Sequence, residues 1–411
     1  MDLATQISIV LILLMEVSCL TYLEYRAWRT IYTPLCALML PYVAVLLITI
    51  AIAGNFGFVR FNYESIYVWI LGLPLFAIPS FGFATLMRHY QLPVISPVQE
   101  DESNGLPRIL LAIAILLVAV LLFKLYRTLS HGFYLFGTED FAEEFSGHGV
   151  WAHLRGMIIP ILILALYYVR KKDFWLWVLI ALMLVIQFSY MVKGAIIITV
   201  VSALMMRLYA GKMHLNLTLV LGVIVGAVLV FYLIYMVIPL LGNDGEANMN
   251  LVEFIARHFV HYFTSGTLGW SYDLDQGIPD RNDISYIVAP FVNIWNAING
   301  YEMISPVNPF YWNTGSSFTN VRTFFGTLSI YTNPLSFATY TLIASTFIYF
   351  WKMLATMTRN IYIYTILFYY CGLMAMGWFE FYLFHLSAIE VPIVALLYAW
   401  LAEKGKEVSL G

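Results

Sequence analysis

The chain has 411 residues, 61% of them hydrophobic and only 11% charged, with a mean hydropathy of +0.81. Soluble domains carry about 25% charged residues, so a soluble globular protein is excluded and an all-α polytopic membrane protein is expected. The net charge of −3 gives no sign of a nucleic-acid partner, and none is expected.

A bilayer crossing takes about 20 apolar residues. Read against that length, the apolar runs give about eleven transmembrane helices, at 3–22, 36–57, 66–87, 109–126, 157–169, 174–192, 195–211, 215–241, 334–352, 360–378 and 384–402. The first run starts at Leu3 without a basic leader or a small-residue cleavage site, so it reads as a retained span. Cys19, Cys36 and Cys371 all fall inside apolar runs and read as small buried hydrophobes, with no disulfide and no metal framework. The segment 88–108 holds prolines and a Glu-Asp-Glu cluster and reads as a solvated connector. The block 174–211 is too long for one crossing and breaks at Lys193-Gly194, where a tight reversal is expected. No nucleotide loop, zinc-hydrolase motif or nucleophile elbow stands in a plausible context.

Orientation follows from lysine and arginine. With the N-terminus outside, thirteen of these residues fall on inner segments and eight, including Arg155, Lys193, Arg257 and Arg322, on outer ones. That bias predicts a cytoplasmic C-terminus and an extracytoplasmic loop at 242–333, the one long polar insertion in a single transmembrane domain spanning 1–411.

The loop opens with NLVEFIARHFVHYFTSG. Glu253, Arg257 and His261 recur every four residues, so a helix here stacks acid, guanidinium and imidazole on one stripe. Arg155, in GHGVWAHLRG, stands where the chain returns to the membrane, and Lys193 stands in a minimal outer turn. Together with Arg257 and Arg322 they could converge on one anionic group such as a diphosphate, which guanidinium binds through paired hydrogen bonds. The competing reading makes each an interfacial cation paired with headgroups. Trp270, Tyr272, Tyr286, Trp295, Tyr301, Tyr311 and Trp312 lie among Asp, Asn, Ser and Gly, a mixture that suits sugar faces and hydroxyls. An interfacial aromatic belt is the alternative.

The succession of spans, the Lys193-Gly194 pair opening a helix, the RHFVHYFTSG stretch of a long outer loop and the late TNVRTFFG before a span resemble Wzy-type O-antigen and oligosaccharide repeat-unit polymerases. In that family an Arg-Gly pair is usual where Lys-Gly stands here, and a Tyr is usual where Arg322 follows Asn-Val. The resemblance implies a glycosyltransferase of the bacterial inner membrane, working on the periplasmic side in lipopolysaccharide and polysaccharide biosynthesis. It would move the growing glycan from undecaprenyl diphosphate to the non-reducing end of an incoming lipid-linked repeat unit. It implies no nucleotide sugar, metal or other cofactor. Besides membrane lipid and the undecaprenyl-diphosphate-linked oligosaccharide, the partners implied are a flippase and a chain-length regulator of the same pathway. Asp273-Leu274-Asp275 is the only outer D-x-D and is discounted as a metal motif only weakly.

The chemistry then needs cations for the leaving diphosphate and a base for the acceptor hydroxyl. Arg257, Arg322 and Lys193, with Arg155 as a weaker member, are assigned to the diphosphate. His261 is the first choice of base, with Glu253, Glu380 and His258 in reserve and Glu380 and His385 sharing the turn WFEFYLFHL. Trp270, Tyr272, Trp295, Tyr311 and Trp312 are assigned to the glycan. Glu16 and Glu390 fall within predicted spans, where an ionisable group suggests function. They keep open a lipid-linked oligosaccharide flippase or other secondary transporter, and an O-antigen ligase stays open within glycosyl transfer.

Overall fold

A computed structural model describes the chain except for residues 93–104, 132–140, 142–143, 146–148, 191–192, 220, 223–224, 227, 230–231, 233–248, 278–282, 306–307, 309–310, 316–317, 359 and 411, and except for the side chains of 193, 249–255 and 406–410. Much of the predicted span 215–241 and most of the connector 88–108 therefore lie outside the described residues. Helix dominates what is described: α1 (Leu3–Trp28), α2 (Pro34–Ile52), α3 (Tyr67–His89), α4 (Arg108–His131), α5 (Gly149–Tyr168), α6 (Phe174–Ser189) and α7 (Lys193–Tyr209) precede the loop region. The loop region holds α8 (Met249–Gln276), α9 (Ile284–Ile287), α10 (Ala289–Asn299) and α11 (Phe324–Tyr331). It is followed by α12 (Pro334–Met357), α13 (Ile361–Ala375) and α14 (Ser387–Leu410). Two short strands, β1 (Trp312–Asn313) and β2 (Phe318–Thr319), form an antiparallel hairpin that pairs Trp312 with Thr319.

Among the described residues five helical segments are long and apolar enough to cross a membrane: Leu3–Trp28, Pro34–Phe56, Tyr63–His89, Arg108–His131 and Gly149–Tyr168. Phe174–Ser189, Gly194–Tyr209 and Ile361–Ala375 are shorter apolar helices. The protein is thus an all-α membrane protein. The helix expected at 157–169 starts at Gly149 instead, which puts Arg155 inside α5. Asn-, Thr- and Asp-capped starts explain several boundaries. Thr323 accepts from the Gly326 amide at 3.2 Å, and Asn333 accepts from Ser336 at 2.9 Å with Pro334 in the first turn. Such caps satisfy amides that have no partner inside the helix.

The chain divides into two compact units. The first comprises Met1–Ile95, Ala256–Thr358 and Leu373–Ala388, and the second Ser96–Ile255, Arg359–Gly372 and Ile389–Gly411. In the first unit α3 packs along α12 and against α1. Glu24 is wholly buried there. It accepts from Ser80 Oγ at 2.9 Å and from the Tyr349 hydroxyl, while Trp28 donates to the same serine oxygen at 2.9 Å. Satisfying each polar atom in this way is what makes a buried carboxyl tolerable in a bundle. In the second unit α5 packs on α7 and α4, and α6 packs on α4, α5 and α7. α6 ends at Ser189 and α7 starts at Lys193, so the Lys193-Gly194 pair, expected as the site of a tight reversal, is the first turn of α7.

Candidate functional site

The polar centre of the first unit is built on the second half of α8. Two glycines let the backbone approach closely. A Cβ on Gly269 would lie 2.4 Å from the Val321 carbonyl oxygen, and one on Gly266 2.5 Å from that of Trp378. The helix therefore presses directly on the segments 319–323 and 377–380. Between them Asp273, 1% exposed, meets Arg322, also 1% exposed. Arg322 donates through Nε to Oδ2 at 2.5 Å and through Nη2 to Oδ1 at 2.9 Å. The indole N–H of Trp312 donates to the same carboxylate. This is a forked, charge-assisted pair, and the carboxylate has two oxygens engaged by three donors.

The segment Asn320–Gly326 is a packing block around this pair. Phe324 donates its amide to the Gly377 carbonyl at 2.6 Å, and Thr327 Oγ1 bonds back to the Arg322 carbonyl at 3.3 Å. Trp69 donates to Thr323 Oγ1 at 3.1 Å, Phe325 lies edge-on to Trp69, and Gly326 leaves room for the Trp270 ring. Trp270 itself is buried and donates to the Ser65 carbonyl at 3.0 Å. Its assignment to a glycan is corrected on that ground, because both ring and N–H are consumed inside the fold.

Glu380 lies in the turn after Gly377, in surroundings unlike those of Asp273. It is partly buried, and among the described residues no donor reaches its carboxylate. Burial lifts its pKa to about 8, although Arg322 pulls the other way. Tyr286 feels the charges of Glu380, Tyr331 and Arg322, and its own hydroxyl is held strongly protonated, chiefly by burial. Tyr286 stacks on Tyr331 with ring centroids 4.1 Å apart, and Tyr382 is buried and protonated beside Glu380. The assembly is a carboxyl able to exchange a proton near neutrality, set among neutral phenols and one arginine that is already paired.

His261 is placed otherwise than the stripe suggests. α8 is helical through Glu253, Arg257 and His261, but Arg257 is exposed while His261 is 5% exposed. Its Nε2 pairs with Thr314 Oγ1 at 2.9 Å and its ring tilts on Phe58 at 5.4 Å. Burial, and to a lesser extent the neighbouring His258, lower its pKa to about 4. A neutral, hydrogen-bonded imidazole against Phe58 is a packed core histidine and a poor base, so its place as first choice of base is corrected. His385 is likewise held neutral by burial, at about 4.

The remaining residues divide. Tyr272 and Trp312 tilt together at 5.3 Å and both are partly exposed, while Tyr311 is exposed nearby in sequence. Trp295 stands apart on α10. Arg155 and Lys193 belong to the second unit, and the side chains of Lys193 and Glu253 lie outside the described ones. Arg155 lies over the Tyr190 ring at 3.4 Å, and its Nε is buried with no acceptor among the described residues. In the same unit Glu390 pairs with His153 at 2.9 Å, and Gly156 makes room for its carboxylate. Among the described residues no group of His, Cys, Asp and Glu could hold a metal ion. Sequence reading missed the Asp273–Arg322 pair, although both halves were in view: one in the Asp-Leu-Asp run, the other in TNVRTFFG.

No curated protein and no solved structure matches the chain. Residues 57–407, most of its length, match a family of unknown function, DUF6337, and the chain belongs to that family.

Proposed function

We propose that this membrane protein is a glycosyltransferase that polymerises lipid-linked oligosaccharide repeat units, with Glu380 as the proton acceptor. One observation carries the reading: a partly buried carboxyl with no hydrogen-bond donor among the described residues, its pKa raised to about 8, beside a forked ion pair and an aromatic wall. A general base is most effective when its pKa lies near the working pH. In the proposed step the acceptor hydroxyl gives its proton to Glu380 as its oxygen attacks the donor sugar's anomeric carbon. The bond from that carbon to the diphosphate breaks, and undecaprenyl diphosphate leaves with the electron pair. Arg257, exposed on α8, is the first unit's candidate for the diphosphate. Tyr272 and Trp312 offer partly exposed rings to the sugar. Arg322 acts as a positioning residue, because its fork is committed to Asp273.

The test is polymerisation by purified protein on undecaprenyl-diphosphate-linked repeat units. Glu380→Gln should cut transfer severely while the substrate still binds; full activity in that variant rejects the reading. Deleting the gene should leave single repeat units on the lipid core, whereas loss of a flippase or ligase leaves no such capped band. The transporter reading retains one observation of its own: both carboxylate oxygens of Glu16, in α1, are buried without a partner among the described residues. Loss of function in Glu16→Gln together with an active Glu380→Gln would favour it.

A further inference from the structure

The helix α10, APFVNIWNAIN, has a feature that the catalytic reading does not use. Phe291, Ile294, Trp295 and Ile298 follow the spacing of one helix face and are 66%, 43%, 63% and 76% exposed. From Ile284 to Tyr301 the chain carries no charged residue at all. A helix facing water would carry charges on its outer side; this one turns its apolar side outward.

The opposite side of α10 is already occupied. Asn293 donates to the Ile304 carbonyl at 2.8 Å and accepts from the Ile304 amide at 2.7 Å. Asn296 donates to the Glu302 carbonyl at 2.8 Å, and Gly300, at φ 69°, turns the chain back so that residues 302–304 run along that side. The base of the helix is tied to a membrane-crossing segment. Tyr286 of α9 stacks on Tyr331 at the end of α11, and α11 packs on the first turns of α3 through Phe325 against Trp69 and Gly72. At 11 residues and about 1.5 Å per residue, α10 is roughly half the length needed to cross a hydrocarbon core of about 30 Å.

We propose that α10 is a membrane-surface helix, lying in the interface on the side where the 242–333 region emerges, with Phe291, Ile294, Trp295 and Ile298 immersed in lipid. Trp295 then contacts lipid rather than glycan. Tryptophan is well suited to this depth, where its ring is apolar and its N–H stays wet. Because the segment is uncharged, its contact is with the acyl–headgroup boundary itself and needs no anionic lipid.

The experiment uses the full chain in phosphatidylcholine vesicles. Spin labels are placed by Trp295→Cys, Ile298→Cys, Asn296→Cys and, as a water reference, Gln276→Cys, each in a Cys19→Ala, Cys36→Ala, Cys371→Ala background. Labels at 295 and 298 should collide more with oxygen than with a water-soluble nickel chelate, at a depth of about 5–10 Å. Labels at 296 and 276 should not, and anionic lipid should leave the depth unchanged. Nickel access at 295 and 298 equal to that at 276 overturns the proposal. So does spin–spin broadening between protomers, which would mean a second copy covers the face, and so does a depth that grows with anionic lipid. Hydroxyl-radical footprinting of the unaltered protein in vesicles gives a reading free of the cysteine background. Trp295 should be protected while exposed Tyr311 is oxidised, and equal oxidation of the two overturns the proposal.

Discussion

Asp273 and Glu380 are carboxylates of the same unit, and both interact with Arg322, yet their surroundings are opposite. Asp273 has three donors on two oxygens and is closed off from solvent. Among the described residues Glu380 has no donor, and burial raises its pKa to about 8. A buried carboxylate gripped by three donors holds structure together. One that is desolvated and unengaged can still take up or release a proton. Nearness to an arginine does not separate the two roles; hydrogen-bond saturation does.

The sharpest way to break this contrast is Glu380→Gln, which should lower transfer by about 10²–10⁴-fold in the lipid-linked polymerisation assay, with a normal melting profile in detergent. The wild-type rate should rise with pH through about 8 as the carboxyl ionises, and the residual rate of the glutamine variant should lose that limb. Stability should move the other way. Between the ordinary carboxyl value of 4.5 and about 8, the folded chain holds a proton that the unfolded chain has released. The contribution of Glu380 therefore favours folding at acidic pH and is lost as pH rises through about 8.

Asp273→Ala and Arg322→Ala should each cost about 3–5 kcal/mol, because each leaves an uncompensated buried charge. That is a large share of a typical total stability of about 5–15 kcal/mol. The expected readout is loss of folded protein before any loss of specific activity. A double Asp273→Leu, Arg322→Met variant should recover much of the fold. Normal protein levels in Arg322→Ala, with polymer abolished, would return that arginine to the diphosphate.

Gly269→Ala should destabilise by about 1–3 kcal/mol, since its Cβ would meet the Val321 carbonyl rather than a movable side chain. Thermal unfolding in detergent measures it. His261→Gln is the mildest change, about 0.5–1.5 kcal/mol for one buried hydrogen bond, with transfer retained. The pKa of His261 falls from 6.5 to about 4, so its contribution to stability is present above pH 6.5 and is lost as pH falls through about 4. An inactive but folded His261→Gln would restore the histidine as base.

Much of this architecture is legible without coordinates. Apolar runs of helical length announce α1 to α5, since a backbone in lipid must satisfy its own hydrogen bonds and helices do so within one segment. The four-residue spacing of Glu253, Arg257 and His261 puts them on one face wherever the segment is helical, and it is helical. It does not reveal that the stripe passes from exposed Arg257 to buried His261, because periodicity gives a face but not what covers it. Arg322 shows the same gap: an arginine in an aromatic stretch reads as a ligand for an anion until its own carboxylate, 49 residues away, is found.

By itself, then, the sequence determined the class of protein, the approximate helices and the polar-aromatic insertion, because composition and period act locally along the chain. Only the tertiary structure decided which charges are spent inside the fold. Glycines at 266 and 269 bring α8 against 319–323 and 377–380, so that Asp273 is paired with Arg322 while Glu380 meets no donor among the described residues. Hydrogen-bond saturation is a property of groups distant in sequence and close in space, so no local pattern encodes it.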